Sequence, residues 1–481
     1  MQKRINPFLS FLLAALLTVG SVSCSGGSEP ETGGSTGHAP DNGTEAPANQ
    51  AAPAENADSS SPAETEQPTP DYSDFVMPEE TSRLVVYIGE FANRVMTPAI
   101  RLFEEMYPGV EVDLQVTKDS ECRQKIRTEV AAGKGPDMFL AAGEDFPDIY
   151  KTMSTGILED LNPYIQKDNS FNMSEYNEGV MQGGVFRGSR YILPAAYQFP
   201  VLLTSTEILE EAGIDPDSLN TYQGFIDACT AYHTAKPKNK LFQDGMKNGF
   251  LKTLFEYTGI RMIDYETNSV SFDEERFRQF IDVCKLYYTS NPGQATGELA
   301  CDPLSRRECL FGTMGDNDIM LFLTSYVYMK AYELTPLLSL VPDENDGATA
   351  QITYFTAIPT GAANKLNGWR LIKILLSDEI QYGIDDSKEN QRQLFPVGNP
   401  VRNESMRKLI SYHTATYADF VTEEDIQMIA DKTMTITNAV MFPTVIYNDV
   451  EENMVPYLSG NDSYDKCIGR LKNELELYAG E

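Results

Sequence analysis

The sequence predicts an α/β protein of more than one domain, set behind an exported and unstructured leader. Three observations lead there. The chain has 481 residues, too many for one hydrophobic core. From Leu84 to Ala142, strand-like and helix-like patterns alternate as β-α-β-α-β, an order that builds a mostly parallel sheet with helices on its faces. Ahead of that stretch, residues 25–80 hold no Lys or Arg, and almost nothing large and apolar before Tyr72.

The leader comes first. Lys3 and Arg4 precede a short apolar run from Phe8 to Val19, and Ser21, Ser23 and Cys24 follow. At ~12 residues the run is too short to span a bilayer comfortably, so residues 1–23 read as a secretory signal. Residues 24–80 read as a disordered acidic Ser/Gly/Pro-rich tether, because such a composition cannot bury enough surface to offset its ordering entropy. Like charges extend it. The formal net charge of −33 argues against a nucleic-acid partner, which needs a basic face.

The folded part, 81–481, begins near Arg83. Leu84 to Ile88 is apolar and β-branched, a first strand. Thr97 and Pro98 suit a helix start, as cap and as first helical residue. Met96, Ile100, Phe103 and Tyr107 then share one face. Pro108-Gly109 ends that helix, and Val110 to Val116 alternates as a second strand. Ile126 to Leu140, IRTEVAAGKGPDMFL, carries the next transition. Gly133 and Gly135 stop a helix, Pro136 blocks its continuation, and Met138 to Ala142 is a buried-strand run. Ligands of open α/β sheets sit beyond the carboxyl ends of strands, so the region of Asp137 and Glu144 is a candidate rim. Farther on, a strand enters Leu193-Pro194, an aromatic loop follows, and Val201 to Thr204 is another strand. In Val270 to Ser290, residues Phe277, Phe280, Ile281, Cys284 and Tyr287 form one helix face. Trp369, the single tryptophan, shares a face with Ile372 and Leu376 and reads as core. Cys467, Leu471, Leu475 and Tyr478 give the last helix one buried side.

Several stretches, in this order, resemble the extracellular solute-binding proteins that feed ABC importers, in the branch that includes maltose-binding proteins. They are AIRLFEEMYPGVEVDL, AAGKGPDMF, STGILEDLNPYI, VFRGSRYILPAAYQFPVLLTSTEILEEAGID, FGTMGDNDIMLFL, LSLVPDENDG, TAIPTGAANKLNGWRLIKILLSDEIQ and FPVGNPVR. The likeness covers residues 83 to 481. Arg190, Thr204, Ser205 and Tyr222 depart from the residues commoner in the family. The resemblance implies a two-lobed periplasmic-binding-protein-like fold with an interlobe hinge. Lobe 1 would take about 81–193 plus 353–400, and lobe 2 about 200–345 plus 403–481. The chain would cross near 193–204, 343–356 and 395–405. The implied function is capture of a small solute, most often a sugar or oligosaccharide, for the permease subunits of an ABC importer, by a monomer without a cofactor. Cys24 after the signal resembles a bacterial lipobox, with Ser21 where the family usually has leucine. Lipidation of Cys24 and plain cleavage after Ser23 both stay open. The implied place is the extracellular face of the cell membrane, the periplasmic side in a Gram-negative organism.

Catalytic patterns are missing. His38 lies in the tether, and His233 and His413 stand alone in polar helical context. There is no HExxH, CxxC, Gly-x-Ser-x-Gly or Walker loop. Cys122, Cys229, Cys284 and Cys467 fall on helices, where a small buried thiol is the default. Cys301 and Cys309 are close enough to leave a disulfide open. Asp343, Asn345 and Gly347 look like part of a calcium loop but lack its terminal glutamate, so a hydrated turn is expected and no metal. Sugars need aromatic faces and planar polar groups. The candidates on strand ends and the crossing loop are Tyr87, Glu90, Phe91, Glu144, Asp145, Tyr197, Gln198, Phe199, Asp316, Asn317, Tyr354 and Phe355. Two other readings stand beside sugar capture: a surface binder of peptide or another small solute on the same fold, and a surface glycan-degrading enzyme.

Overall fold

The computed structural model describes residues 72–79, 81–243, 247–290, 301–312, 319–383, 398–415, 417–441 and 443–481. All of them lie in one unit, Gln67–Glu481. The signal, Cys24, most of the tether with His38, and Asp316 and Asn317 fall outside the described residues.

The β-α-β-α-β opening is present. Strand β1 (Arg83–Gly89) leads to helix α1 (Asn93–Met106), β2 (Glu111–Thr117), α2 (Asp119–Ala131) and β3 (Met138–Ala142). β1 lies between β2 and β3, parallel to both. Helix α1 starts four residues before the expected Thr97 cap, and Pro98 sits inside it. Val95 and Met96 are fully buried, so packing against the sheet carries the first turn through a place where the local signals would begin it later. The Gly133 stop is as expected: φ is +67°, and the Gly133 and Lys134 amides bond back to Val130 and Glu129.

Helices α3 (Ile149–Ser154) and α4 (Glu178–Gln182) precede β4 (Leu193–Gln198) and β5 (Val201–Ser205). The aromatic loop expected after Pro194 is instead the body of β4. A second group of strands follows: β6 (Lys240–Phe242), β7 (Cys309–Phe311) and β8 (Pro336–Leu340). β8 pairs antiparallel with β5, and β7 pairs parallel with β6. The Gly312 amide donates to Leu203 O, and Thr204 Oγ donates to Leu310 O, joining the two pairs. Around them pack helices such as Glu274–Ser290, whose Phe277, Phe280, Ile281, Cys284 and Tyr287 are buried as the pattern predicts.

Strand β9 (Thr349–Ala357) then enters the first sheet, between β3 and β4 and antiparallel to both. β10 (Asn399–Pro400) adds to the other side of β4, and β11 (Asn438–Val440) runs parallel to the start of β9. The sheet order is thus β10-β4-β9-β3-β1-β2, with β11 also on β9. The three segments expected to cross between lobes lie side by side as β10, β4 and β9.

Several polar residues are spent on this framework. Asp137 is buried at the amino end of β3, where its carboxylate accepts from the Val85 and Asn364 amides at 2.8 and 2.7 Å. It ties a strand to the cap of helix α5 (Lys365–Leu375) and is no ligand rim. Asp343 accepts from the Asn345 and Gly347 amides and from Thr349 Oγ, so its oxygens hold the turn entering β9. Trp369 on α5 is fully buried against Tyr164 and Phe171, as expected. Its indole N–H donates to Asp168 at 2.8 Å. Cys122, Cys229, Cys284, Cys309 and Cys467 are all buried. The module also begins before the composition boundary at residue 80. Tyr72 donates to Asp160 at 2.7 Å, and Phe75 packs edge-on to Tyr164 at 5.0 Å.

Candidate functional site

The carboxyl ends of β1 and β3 point the same way, since the strands are parallel. Beyond β1 the chain turns at Gly89, where an added Cβ would stand 2.0 Å from Asp119 Oδ1. Glu90 and Phe91 ride on that turn and are exposed, Phe91 at 51 %. A half-exposed phenylalanine at a strand's carboxyl end has apolar area available to a ligand. Beyond β3 the chain makes a short turn, Gly143–Asp145. Asp145 Oδ2 accepts from the Ala142 amide at 2.7 Å, and Arg123 Nε lies 3.6 Å from Oδ1. Asp145 therefore shapes the turn, with its charge offset by α2.

The end of β3 meets a second strand end. β3 runs antiparallel along β9, and β11 runs parallel along it from the other direction. Their carboxyl ends meet near Ile352. An added Cβ on Gly143 would stand 2.2 Å from Ile352 O and 3.6 Å from Met441, the residue after β11. Only glycine allows this approach. Beside it, Gln351 of β9 pairs in register with Gln198 of β4, and both side chains are partly buried. Directly opposite residues share a face, so two carboxamides stand together where the candidate crossing strands pair. Sequence reasoning found Gln198 and missed Gln351, although its place as a polar residue within TAQITYFTA was a signal.

Other candidates lie elsewhere. Tyr197 is 1 % exposed and Phe199 is fully buried, so both belong to the core rather than to a cleft wall. The reason is that β4 is covered on both faces, with Leu193 to Ala196 buried throughout. Burial alone pushes the Tyr197 hydroxyl far up. Phe355 is fully buried against Phe139 and Phe146, and Tyr354 is nearly so. Tyr87 is buried under α2, with Lys125 4.0 Å above its ring and its hydroxyl donating to Glu129 at 2.7 Å. Burial first, then that carboxylate, raises its pKa. Glu144 follows Gly143 in the turn. The structure thus brings together Glu90 and Phe91 on one turn, Glu144 and Asp145 on another, and Gln198 with Gln351.

On the far side of the β3 turn, Asp148 is buried and accepts from four donors. They are the Tyr265 and Tyr478 hydroxyls at 2.6 and 2.7 Å and the Tyr150 and Lys151 amides at 2.9 and 3.1 Å. Burial, then Asp148, drives the Tyr265 hydroxyl far up, so it stays a donor. This carboxylate joins the start of α3 to the loop at 265 and to the last helix. It is a structural tie, with no acceptor capacity left over for acid–base work. Among the described residues, no cluster of three or more His, Cys, Asp or Glu could hold a metal ion, and no helix is long and apolar enough to cross a membrane.

Comparison with known proteins gives the same frame. The sugar-binding protein MalE of Xanthomonas citri aligns at a TM-score of 0.60 and 16 % identity, covering 83 % of this chain and 97 % of that one. An extracellular solute-binding protein family 1 member from Alicyclobacillus acidocaldarius aligns at 0.55 and 15 %, over 84 % and 100 %. The cyclic alpha-maltosyl-1,6-maltose binding protein of Arthrobacter globiformis aligns at 0.53 and 13 %, over 83 % and 99 %. At such identities the likeness speaks for the two-lobed fold. Residues 86–382 match the family described as bacterial extracellular solute-binding protein. That match takes in more than half of the chain, and so the chain belongs to the bacterial extracellular solute-binding proteins.

Proposed function

We propose that this protein captures a sugar or oligosaccharide in the cleft between its lobes and delivers it to the permease of an ABC importer. The observation that carries the reading is the half-exposed Phe91 at the carboxyl end of β1 in a chain of this family. Sugars present C–H faces to aromatic rings and hydroxyls to carboxamides and carboxylates. Phe91 supplies the first, and Glu90, Gln198 and Gln351 supply the second. The hinge is β10, β4 and β9, in which β4 pairs with each of the other two, and it separates about 81–193 plus 353–400 from about 200–345 plus 403–481. Hinge closure then needs only small changes at a few strand ends. Binding without bond-making is the role; Asp148, a buried carboxylate beyond the β3 turn, is saturated with donors and holds the fold. Two relatives whose names specify sugar binding support the ligand class. Cys24 carries a lipid anchor that holds a monomer at the outer face of the cell membrane.

Thermal denaturation of the full-length chain against panels of sugars, oligosaccharides, amino acids and short peptides tests this. A ligand bound only by the folded state at a hundred times its Kd stabilises by about 2.7 kcal/mol. A rise in Tm with a sugar is expected. A rise with peptides alone would sink the sugar reading. Once a sugar is found, Phe91→Ala should weaken binding about tenfold, since each 1.4 kcal/mol is tenfold. The unliganded Tm should barely move.

A further inference from the structure

Asp148 divides its carboxylate between two bodies of the molecule. It follows closely on the β3 turn and caps α3, where its Oδ1 accepts from the Tyr150 and Lys151 amides at 2.9 and 3.1 Å. Its Oδ2 accepts from the Tyr265 and Tyr478 hydroxyls at 2.6 and 2.7 Å. Tyr265 lies in the loop before the helix Glu274–Ser290, and Tyr478 lies on the last helix, Tyr464–Gly480. Lys472 of that last helix pairs with Glu274, so both tyrosines belong to the body built around the second group of strands. One carboxylate oxygen thus serves the first sheet, and the other reaches across to its neighbour.

Further side-chain contacts follow the same line. The Tyr150 ring stacks on Tyr265 at 5.4 Å, and the Arg261 guanidinium lies 5.5 Å from the Tyr150 ring. Lys151 Nζ stands 3.6 Å from the centre of the Tyr478 ring and donates to Tyr478 O. Arg187, in the turn between Phe186 and Ser189, donates to the Tyr265 and Glu266 carbonyls. Beside these contacts the two bodies leave space between them. An open groove of about 360 Å3 has Phe186 and Arg187 on one wall and Arg261, Asp264 and Ser271 on the other. Phenol, ammonium and guanidinium groups therefore bridge a seam that is not packed, whereas β10, β4 and β9 are joined by backbone ladders. A rigid-body rotation can undo side-chain ties across such a seam without opening a core, while the ladders persist as the pivot.

We propose that Asp148, Tyr265 and Tyr478 form an interlobe clasp that sets the resting angle of the two lobes, and with it the share of molecules ready to bind. A contact made in one lobe arrangement and lost in the other shifts the population between them. Because Asp148 sits just past the turn that carries Glu144 and Asp145, the clasp acts beside the rim of the cleft. It rests on the lobe division proposed above, with Asp148 in 81–193 and its two phenol donors in 200–345 and 403–481. It does not rest on the ligand class, so the sugar panel can fail with the clasp intact.

The test measures an interlobe distance by double electron–electron resonance on the full-length chain without added ligand. Spin labels go on Lys134→Cys and Lys238→Cys, exposed positions in the two lobes, with Cys24→Ala and Cys301→Ala removing the thiols other than the five buried ones. Tyr265→Phe combined with Tyr478→Phe removes both hydroxyls and keeps both rings. It should add a second distance carrying about a tenth of the molecules. Each single variant is read in the same way, which covers a double variant that fails to fold. Tyr164→Phe is the control: it removes a hydroxyl bonded to Glu159 within lobe 1 and should leave the distance unchanged. One unchanged distance in all the clasp variants overturns the proposal, and so does the same second distance in Tyr164→Phe. A label pair inside lobe 1, Lys134→Cys with Gln166→Cys, should stay fixed throughout. If that pair moves along with the interlobe pair, the lobe division itself fails, and the clasp with it.

Discussion

Tyr197→Ala removes a ring that is 1 % exposed, and its effect belongs to the core. Truncating a buried aromatic costs about 3–5 kcal/mol, so the urea midpoint should drop clearly, while affinity in the surviving fold stays near its original value. An unchanged midpoint would contradict the burial. The sequence showed three ligand-suited side chains in a row but not that both faces of β4 are covered, because alternation disappears in a doubly buried strand. Trp369 was legible for the opposite reason: its helix partners Ile372 and Leu376 already defined a face. His413 gives a pH dependence. Burial holds its pKa down to about 4, against 6.5 in an ordinary setting. The unfolded chain then binds more protons between those values, so stability is complete above pH 6.5 and falls as pH drops toward 4. Denaturant titrations at about pH 7 and about pH 4.5 should differ by less in His413→Leu than in the parent.

Between elements, the meeting of β3 and β11 at Ile352 is the most constrained point. Gly143→Ala would place a methyl 2.2 Å from a backbone oxygen, so one strand end must move. Overpacking of this kind costs about 1–3 kcal/mol. The variant should lose stability in thermal melts, and it should also lose sugar affinity, because Glu144 and Asp145 follow directly. Loss of stability with affinity intact would detach this turn from the binding site. The β-α-β-α-β opening was legible because periodicity, proline and glycine are local signals. The insertion of β9 between β3 and β4 was not, since those partners lie more than 150 residues away in the chain and no local pattern encodes an antiparallel neighbour. The early start of α1 was hidden for a related reason, as Val95 and Met96 are ordered by the sheet they cover.

At the scale of the molecule, the lipid anchor proposed for Cys24 and the described core are separate stretches of the chain. Cys24→Ala should move the protein from the membrane fraction to the soluble one and leave ligand affinity unchanged, since the described core starts at Tyr72. Equal retention of the variant on membranes would remove the lipid anchor. Separately, the single tryptophan makes the folded module optically simple. Trp369 is the only indole among 25 tyrosines, and it is sealed in the core with its N–H on the Asp168 carboxylate. Burial works against that carboxylate's charge, yet Lys373, Ser170 and Trp369 outweigh it and keep the group ionised well into acid. Intrinsic emission excited at the indole band should therefore be short in wavelength and move to the red on denaturation. It should stay nearly silent when ligand enters the cleft, since the ring packs on Tyr164 and Phe171 and bonds to Asp168, away from the strand-end candidates. Unfolding and binding can then be recorded in one unlabelled sample, the first by fluorescence and the second by heat.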